Sequence, residues 1–225
     1  MEIADFENWR AVAEDAAKVL RAGEVVALPT ETVYGLGADA FNAEAVAKVF
    51  EAKGRPSFDP LIVHIAGIRD LQRVAVVSEE LEGVVRQLAK AFWPGPLTMV
   101  LPKHEDIPDL VTSGLPTVAV RVSKHEFMRL LSKDLGPIAA PSANRFGRIS
   151  PTSASAVLDE LKGRIPLVVD GGACSNGLES TIIAVEVGEK RPVLKLLRPG
   201  PVTREELQKF GKVPRAGRGA DDRPE

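Results

Sequence analysis

The chain has 225 residues, 44% of them apolar and only 5% aromatic, so one large domain with a Val-, Leu-, Ile- and Ala-rich core is expected. A net charge of -2 gives no overall electrostatic pull toward nucleic acid, and the single cysteine excludes an internal disulfide and a cysteine-based zinc site. His64, His104 and His125 show no metal-ligand spacing, no apolar run has the length of a membrane span, and the N-terminus has no signal-peptide pattern. A cytoplasmic protein with no membrane association is expected.

In chain order, Trp9, Val12, Ala16, Val19 and Leu20 recur at helical spacing and predict a helix over Glu7–Ala22, stopped by Gly23. Val25–Leu28 reads as a short apolar strand. Asn42 is a good N-cap for a helix through Ala52, ended by Gly54. Pro60–Ile65 is a second apolar strand. Ser78 caps a helix to about Ala91, broken by Trp93-Pro94-Gly95-Pro96. Leu97–Leu101 and Thr117–Val122 read as strands, Lys124–Leu131 as a helix and Ile138–Ala140 as a strand. Ser150-Pro151 reads as a helix start, since proline suits the first helical position. Leu167–Val169, Thr181–Val187 and Val193–Leu197 are strands, and Thr203–Phe210 is a last helix. Strands and helices mix without a strict βαβ repeat, which predicts an α/β fold with a twisted, mixed parallel and antiparallel sheet flanked by helices. Residues 1–210 are read as one domain and 211–225 as a flexible tail, rich in Arg, Asp, Pro and Gly.

Polar clusters stand where apolar runs end. Leu28 is followed by Pro29-Thr30-Glu31-Thr32-Val33-Tyr34-Gly35-Leu36-Gly37, and Ala139-Ala140 by Pro141-Ser142-Ala143-Asn144. Strand ends that open into hydroxyls, amides and cations are where α/β proteins hold small polar ligands. Thr30 and Thr32 lie two apart and face the same side of an extended chain, or else serve turns around Gly35 and Gly37. Lys53 and Arg55 flank Gly54; they suit either a helix dipole or phosphates. His64 sits on an apolar strand, where a satisfied core histidine is the usual outcome. Arg121 interrupts an apolar strand and needs an anionic partner, either one of the chain's own carboxylates or a ligand's. Ser142 and Asn144 suit phosphate or nucleotide, and Arg145, Arg148 and Ser150 follow closely. Ser180 and Thr181 either begin a strand or meet a ligand. There is no P-loop, dinucleotide fingerprint, nucleophile elbow or kinase signature, so any ATP is held by dispersed residues.

These motifs resemble the YrdC-like family of threonylcarbamoyl-adenylate synthases, over about Gly23 to Gly200. The resemblance also takes in Pro60–Ile65, Phe92–Thr98, Val118–Arg121, Leu178–Thr181 and Leu197–Gly200, in one order along the chain. It implies a YrdC-like fold with a concave ligand cleft. It implies an enzyme that makes threonylcarbamoyl-AMP and pyrophosphate from L-threonine, bicarbonate and ATP, with Mg2+ carried by ATP. Lys53, Arg55, Ser142 and Asn144 would hold the phosphates, and Thr32, His64, Arg121, Ala140 and Ser180 the threonine. Asp59, Thr117, Ser150 and Arg198 would join Arg55, Ser142 and Asn144 around the nucleotide. No protein metal ligand is implied. The labile product would pass to threonylcarbamoyl transferase proteins for modification of tRNA adenosine, with weak tRNA binding by this chain itself. Two other classes stay open: a carbamoyl-adenylate-forming enzyme that uses carbamoyl phosphate, and an RNA-binding module built on Lys53, Arg55, Arg145 and Arg148.

Overall fold

The computed structural model describes residues 2–4, 9–56 and 59–214. Its elements in chain order are β1 (Glu2–Ala4), α1 (Trp9–Arg21), β2 (Val26–Leu28), β3 (Gly35–Asp39), α2 (Ala43–Lys53), β4 (Ile62–His64), a 3-10 turn (Ile68–Arg73), α3 (Glu79–Phe92), β5 (Leu97–Pro102) and α4 (Asp109–Thr112). There follow β6 (Thr117–Arg121), α5 (Glu126–Leu135), β7 (Ile138–Ala139), α6 (Ala154–Leu161), β8 (Leu167–Val169), β9 (Thr181–Glu186), β10 (Val193–Arg198) and α7 (Arg204–Leu207). The strands form one ten-stranded sheet in the order β1-β8-β2-β3-β7-β4-β6-β5-β9-β10. Parallel pairs (β1/β8, β2/β8, β4/β6, β5/β9) alternate with antiparallel ones, which is the mixed sheet expected.

Period-two burial decides what each face does. Ala27, Val63, Val118, Val120 and Ala139 join the core shared with α2, α3 and α6. Val26, Leu28, Ile138 and Ala140 point the other way, into a second core under α1 and α5. Further along that second face lie Ile62, His64, Thr117, Ala119 and Arg121, which line a cleft. The pairs Ile62–Ala119 and His64–Arg121 are in register, so the two polar side chains stand side by side on parallel strands.

Local chemistry sets the ends of α2. The Asn42 side chain accepts from the backbone N–H groups of Glu44 and Ala45, and Gly54 closes the helix in the left-handed conformation, φ 57°. Lys53 is thereby the final helical residue. α7 carries a full capping box between Thr203 and Glu206.

The structure corrects several expectations. Ser150 does not start a helix: the Pro151 carbonyl accepts from Tyr34 N–H at 2.8 Å, which keeps the chain extended, and Ser153 caps α6 instead. The helix expected over Lys124–Leu131 runs Glu126–Leu135, with the His125 side chain accepting from Phe127 N–H. α7 is a single turn rather than a helix to Phe210. Gly35–Asp39, read as part of a turn motif, is a strand whose Gly37 packs against Leu28 and Ile138. Residues 211–214, read as the beginning of a tail, lie beside β10: Leu194 N–H donates to the Lys212 carbonyl, and Arg204 donates to the carbonyls of Val213 and Pro214. Residues 215–225 and the first two positions of the Glu7–Ala22 helix lie outside the described residues.

Candidate active site

The cleft has a volume of about 620 Å3, and every residue that the resemblance assigns to threonine or nucleotide lines it, whereas Thr181 turns to the Val202 carbonyl and Arg145 to Glu160 outside it. β4, β5, β6 and the β9–β10 hairpin form its floor, and the segments after β2, α2 and β7 form its rim.

At one end sits a buried polar cluster. Arg121 ends β6 and is 3% exposed. Its Nη1 donates to Thr32 Oγ1 at 2.8 Å and its Nε to the Gly95 carbonyl at 3.2 Å. Its Nη2 pairs with Glu31 Oε1 at 2.8 Å. The anionic partner in this structure is therefore one of the chain's own carboxylates. Ser123 Oγ donates to the other Glu31 oxygen at 2.5 Å. Burial alone would raise the Glu31 pKa; the Arg121 charge, and then the Ser123 hydroxyl, outweigh it and hold Glu31 down at about 2. His64 is fully buried next to this cation, and burial together with Arg121 lowers it to about 3, so the imidazole is neutral. Its Nδ1 has no hydrogen-bond partner. Ser180 closes the cluster, its Oγ lying 2.7 Å from Thr98 Oγ1 and accepting from Arg198 Nη2 at 3.0 Å.

At the other end the cations converge. The Lys53 ammonium donates to the main-chain carbonyls of Ser142 and Asn144. Burial, with Arg55 adding to it, lowers Lys53 to about 7. Asn144 in turn donates its amide to the carbonyls of Arg145 and Arg148, at 2.9 and 2.8 Å, which braces the loop after Ser142 internally, while the Lys53 bonds tie it to α2. Arg55 pairs with Asp59 at 2.9 Å. Arg198 pairs with Glu179, whose other oxygen accepts from Ser150 Oγ at 2.5 Å. A register shift between Leu196 and Arg198 breaks the β9–β10 ladder next to this arginine, and bulges of this kind re-aim side chains. Thr117 and Asp59 complete this end. The cleft thus combines a compact pocket with one buried guanidinium and an open, cation-rich half.

A family model covering the Sua5, YciO and YrdC proteins, described as telomere recombination, matches residues 18–200. The chain belongs to this family. It is 49% identical over 205 residues to the threonylcarbamoyl-AMP synthase of Pyrococcus abyssi, covering 91% of this chain and 58% of the relative. It is 50% identical over 195 residues to the synthase of Bacillus subtilis, covering 86% of this chain and 54% of the relative. The chain therefore spans little more than half the length of these two relatives. The structure of P. abyssi Sua5 complexed with L-threonine superposes with a TM-score of 0.84 at 46% identity, covering 95% of this chain and 62% of that one. Escherichia coli YciO shares the fold, with a TM-score of 0.73 at 20% identity, over 92% of this chain and 96% of that one. The YrdC-like architecture expected from the motifs is thus the one found.

Glu31, Glu179 and Thr98 touch the family's candidate residues directly, and the motif analysis assigned them no role. Glu31 stands inside the Thr30–Gly37 motif, and the buried Arg121 was a signal that a carboxylate had to lie near. Thr98 carried no such signal, since its place beside Ser180 depends on the parallel β5/β9 pairing.

Proposed function

We propose that this chain makes threonylcarbamoyl-AMP and pyrophosphate from L-threonine, bicarbonate and ATP. The observation that carries the reading is the division of one cleft into a buried guanidinium pocket and a cation-rich half. A zwitterionic amino acid suits the first: Arg121 takes its carboxylate, and Thr32, Ser180, neutral His64 and the small Ala140 surround the rest. A triphosphate suits the second: Lys53 and Arg55 meet its charge, Ser142 and Asn144 line its path, and Thr117, Asp59, Ser150 and Arg198 border the nucleoside. The named activity of the relatives and the threonine-bound Sua5 structure support the same reading.

The chemistry follows from that arrangement. The threonine ammonium first gives a proton to solvent; the free amine then attacks the bicarbonate carbon, and water leaves to give a carbamate. A carbamate oxygen then attacks the α-phosphorus of ATP; the bond from that phosphorus to the bridging oxygen breaks and pyrophosphate leaves. Lys53 and Arg55 offset the charge that grows on the departing phosphates. The two cleft halves hold carbamate and phosphorus close enough to react, with no covalent enzyme intermediate.

Mg2+ in nucleotide sites is held by one or two carboxylates together with the substrate's own phosphates. The ion would arrive chelated by ATP. The labile product would pass to a transferase that acts on tRNA adenosine, and the reading carries a cytoplasmic location, in keeping with Cys174 as a free thiol.

Pyrophosphate release from ATP tests the reading. It should require both L-threonine and bicarbonate. Release with carbamoyl phosphate in place of threonine would move the chain to the carbamoyl-adenylate class, and silence in both would discard the enzymatic reading.

A further inference from the structure

We infer that Glu31, which does not line the cleft, is the residue that positions Arg121 for the carboxylate of the amino-acid substrate. The inference rests on the proposed reading of Arg121 as the carboxylate ligand.

A guanidinium has five N–H donors in a fixed plane. In Arg121 the Nε hydrogen goes to Gly95 and one Nη1 hydrogen to Thr32, while Nη2 lies 2.8 Å from Glu31 Oε1 as an ion pair without hydrogen-bond geometry. Donor capacity remains on both terminal nitrogens, the pair that a carboxylate engages side by side. Their direction depends on how the plane is held. Gly95 holds the plane at Nε, Thr32 at Nη1 and the Glu31 charge at Nη2. Glu31 is itself held: Ser123 donates to its second oxygen at 2.5 Å, and the Lys124 backbone N–H also donates to the carboxylate. A carboxylate needed only for charge balance would require one contact and no fixed plane. Glu31 lines a separate pocket of about 310 Å3 together with Trp9, Lys124 and His125. It therefore acts on the substrate only through Arg121 and its chain neighbour Thr32.

Glu31→Gln keeps the shape and removes the charge. In pyrophosphate-release kinetics the threonine KM should rise about tenfold or more, while the ATP KM stays within about twofold and kcat at saturating threonine within about threefold. An unchanged or lower threonine KM would overturn the inference. So would an equal rise in the ATP KM, the mark of general loosening. Should Glu31→Gln fail to fold, Ser123→Ala removes the donor to Glu31, along with the acceptor for the His125 N–H, and should raise the threonine KM about two- to fivefold without touching the ATP KM. Arg121→Ala separates the two levels. Wild type with no threonine-dependent release removes the underlying reading and this inference with it. A threonine-defective Arg121→Ala beside wild-type behaviour in both Glu31→Gln and Ser123→Ala overturns the role of Glu31 alone.

Discussion

The ammonium of Lys53 donates to the main-chain carbonyl of Ser142, and to that of Asn144 two residues on. Three residues that look in the sequence like separate phosphate ligands are thus one unit, with the lysine pinning the loop that carries the other two. Its position makes the site sensitive to protons. Burial and Arg55 place the free-state pKa at about 7. Neighbouring phosphate charge raises the pKa of an amine, so ATP binding at pH about 8 should take up a proton. Affinity for ATP should then fall as pH climbs above about 7, by at most about tenfold per unit. Calorimetry in buffers of different ionisation enthalpy reads the proton directly, and Lys53→Met should abolish the dependence. A wild type that takes up no proton would remove Lys53 from the phosphates.

Acid should weaken the fold through Glu31. Its folded pKa, about 2, lies below the ordinary carboxylate value of 4.5. A depressed carboxylate contributes stability that is fully present above the unfolded value and is lost as pH falls through the folded one. The window is therefore pH 4.5 down to about 2, and the contribution is at most roughly 3 kcal/mol. Urea denaturation at pH about 6 and about 3 should show wild type losing more stability than Glu31→Gln. Parallel losses would mean that Arg121 does not hold this carboxylate.

Much of the site was legible because chemistry and placement coincide. Thr32, His64, Arg121 and Ser142 each follow or interrupt an apolar run and Ser180 precedes one, and a polar group there has to face either a partner or a ligand. Less legible was how they pair before any ligand arrives. Arg121 meets Glu31, Arg55 meets Asp59 and Arg198 meets Glu179, and only the last two of these pairs lie on the open half of the cleft. β3 escaped the motif analysis because Gly35-Leu36-Gly37-Ala38-Asp39 has no β-branched residue; it is a strand because it pairs with β2 and β7, and Leu28 and Ile138 leave no room there for a side chain at Gly37. Ser150 misled for a related reason: Pro151 suits a helix start, but its carbonyl is already spent on Tyr34 in another part of the chain.

Glu179 occupies Arg198 from within the cleft and should compete with the bound nucleotide for it. Both side chains are 33% exposed, so solvent screens the pair and its loss should be mild. Glu179→Gln should tighten ATP binding about two- to fivefold, with the gain shrinking at high salt. Titration calorimetry at two ionic strengths checks this. Weaker binding would mean that the Ser150–Glu179–Arg198 chain is a scaffold rather than a competitor.

Gly200 should tolerate no side chain at all. A Cβ there would lie 2.5 Å from the Thr181 nitrogen, 2.6 Å from the Glu179 carbonyl oxygen and 2.8 Å from the Ser180 carbonyl carbon. All three are backbone atoms, which cannot rotate away as a side-chain tip can. Gly200→Ala therefore has to push the start of β9 aside. That strand end carries Ser180 Oγ, which sits 2.7 Å from Thr98 and 3.0 Å from Arg198, so both contacts open together. The variant should lose about 2 kcal/mol or more of stability and, where still folded, about a hundredfold in kcat/KM for threonine. Chemical denaturation and pyrophosphate-release kinetics on the same preparation separate the two effects. A folded Gly200→Ala with a wild-type threonine KM would show that the strand yields elsewhere and that Ser180 keeps its place.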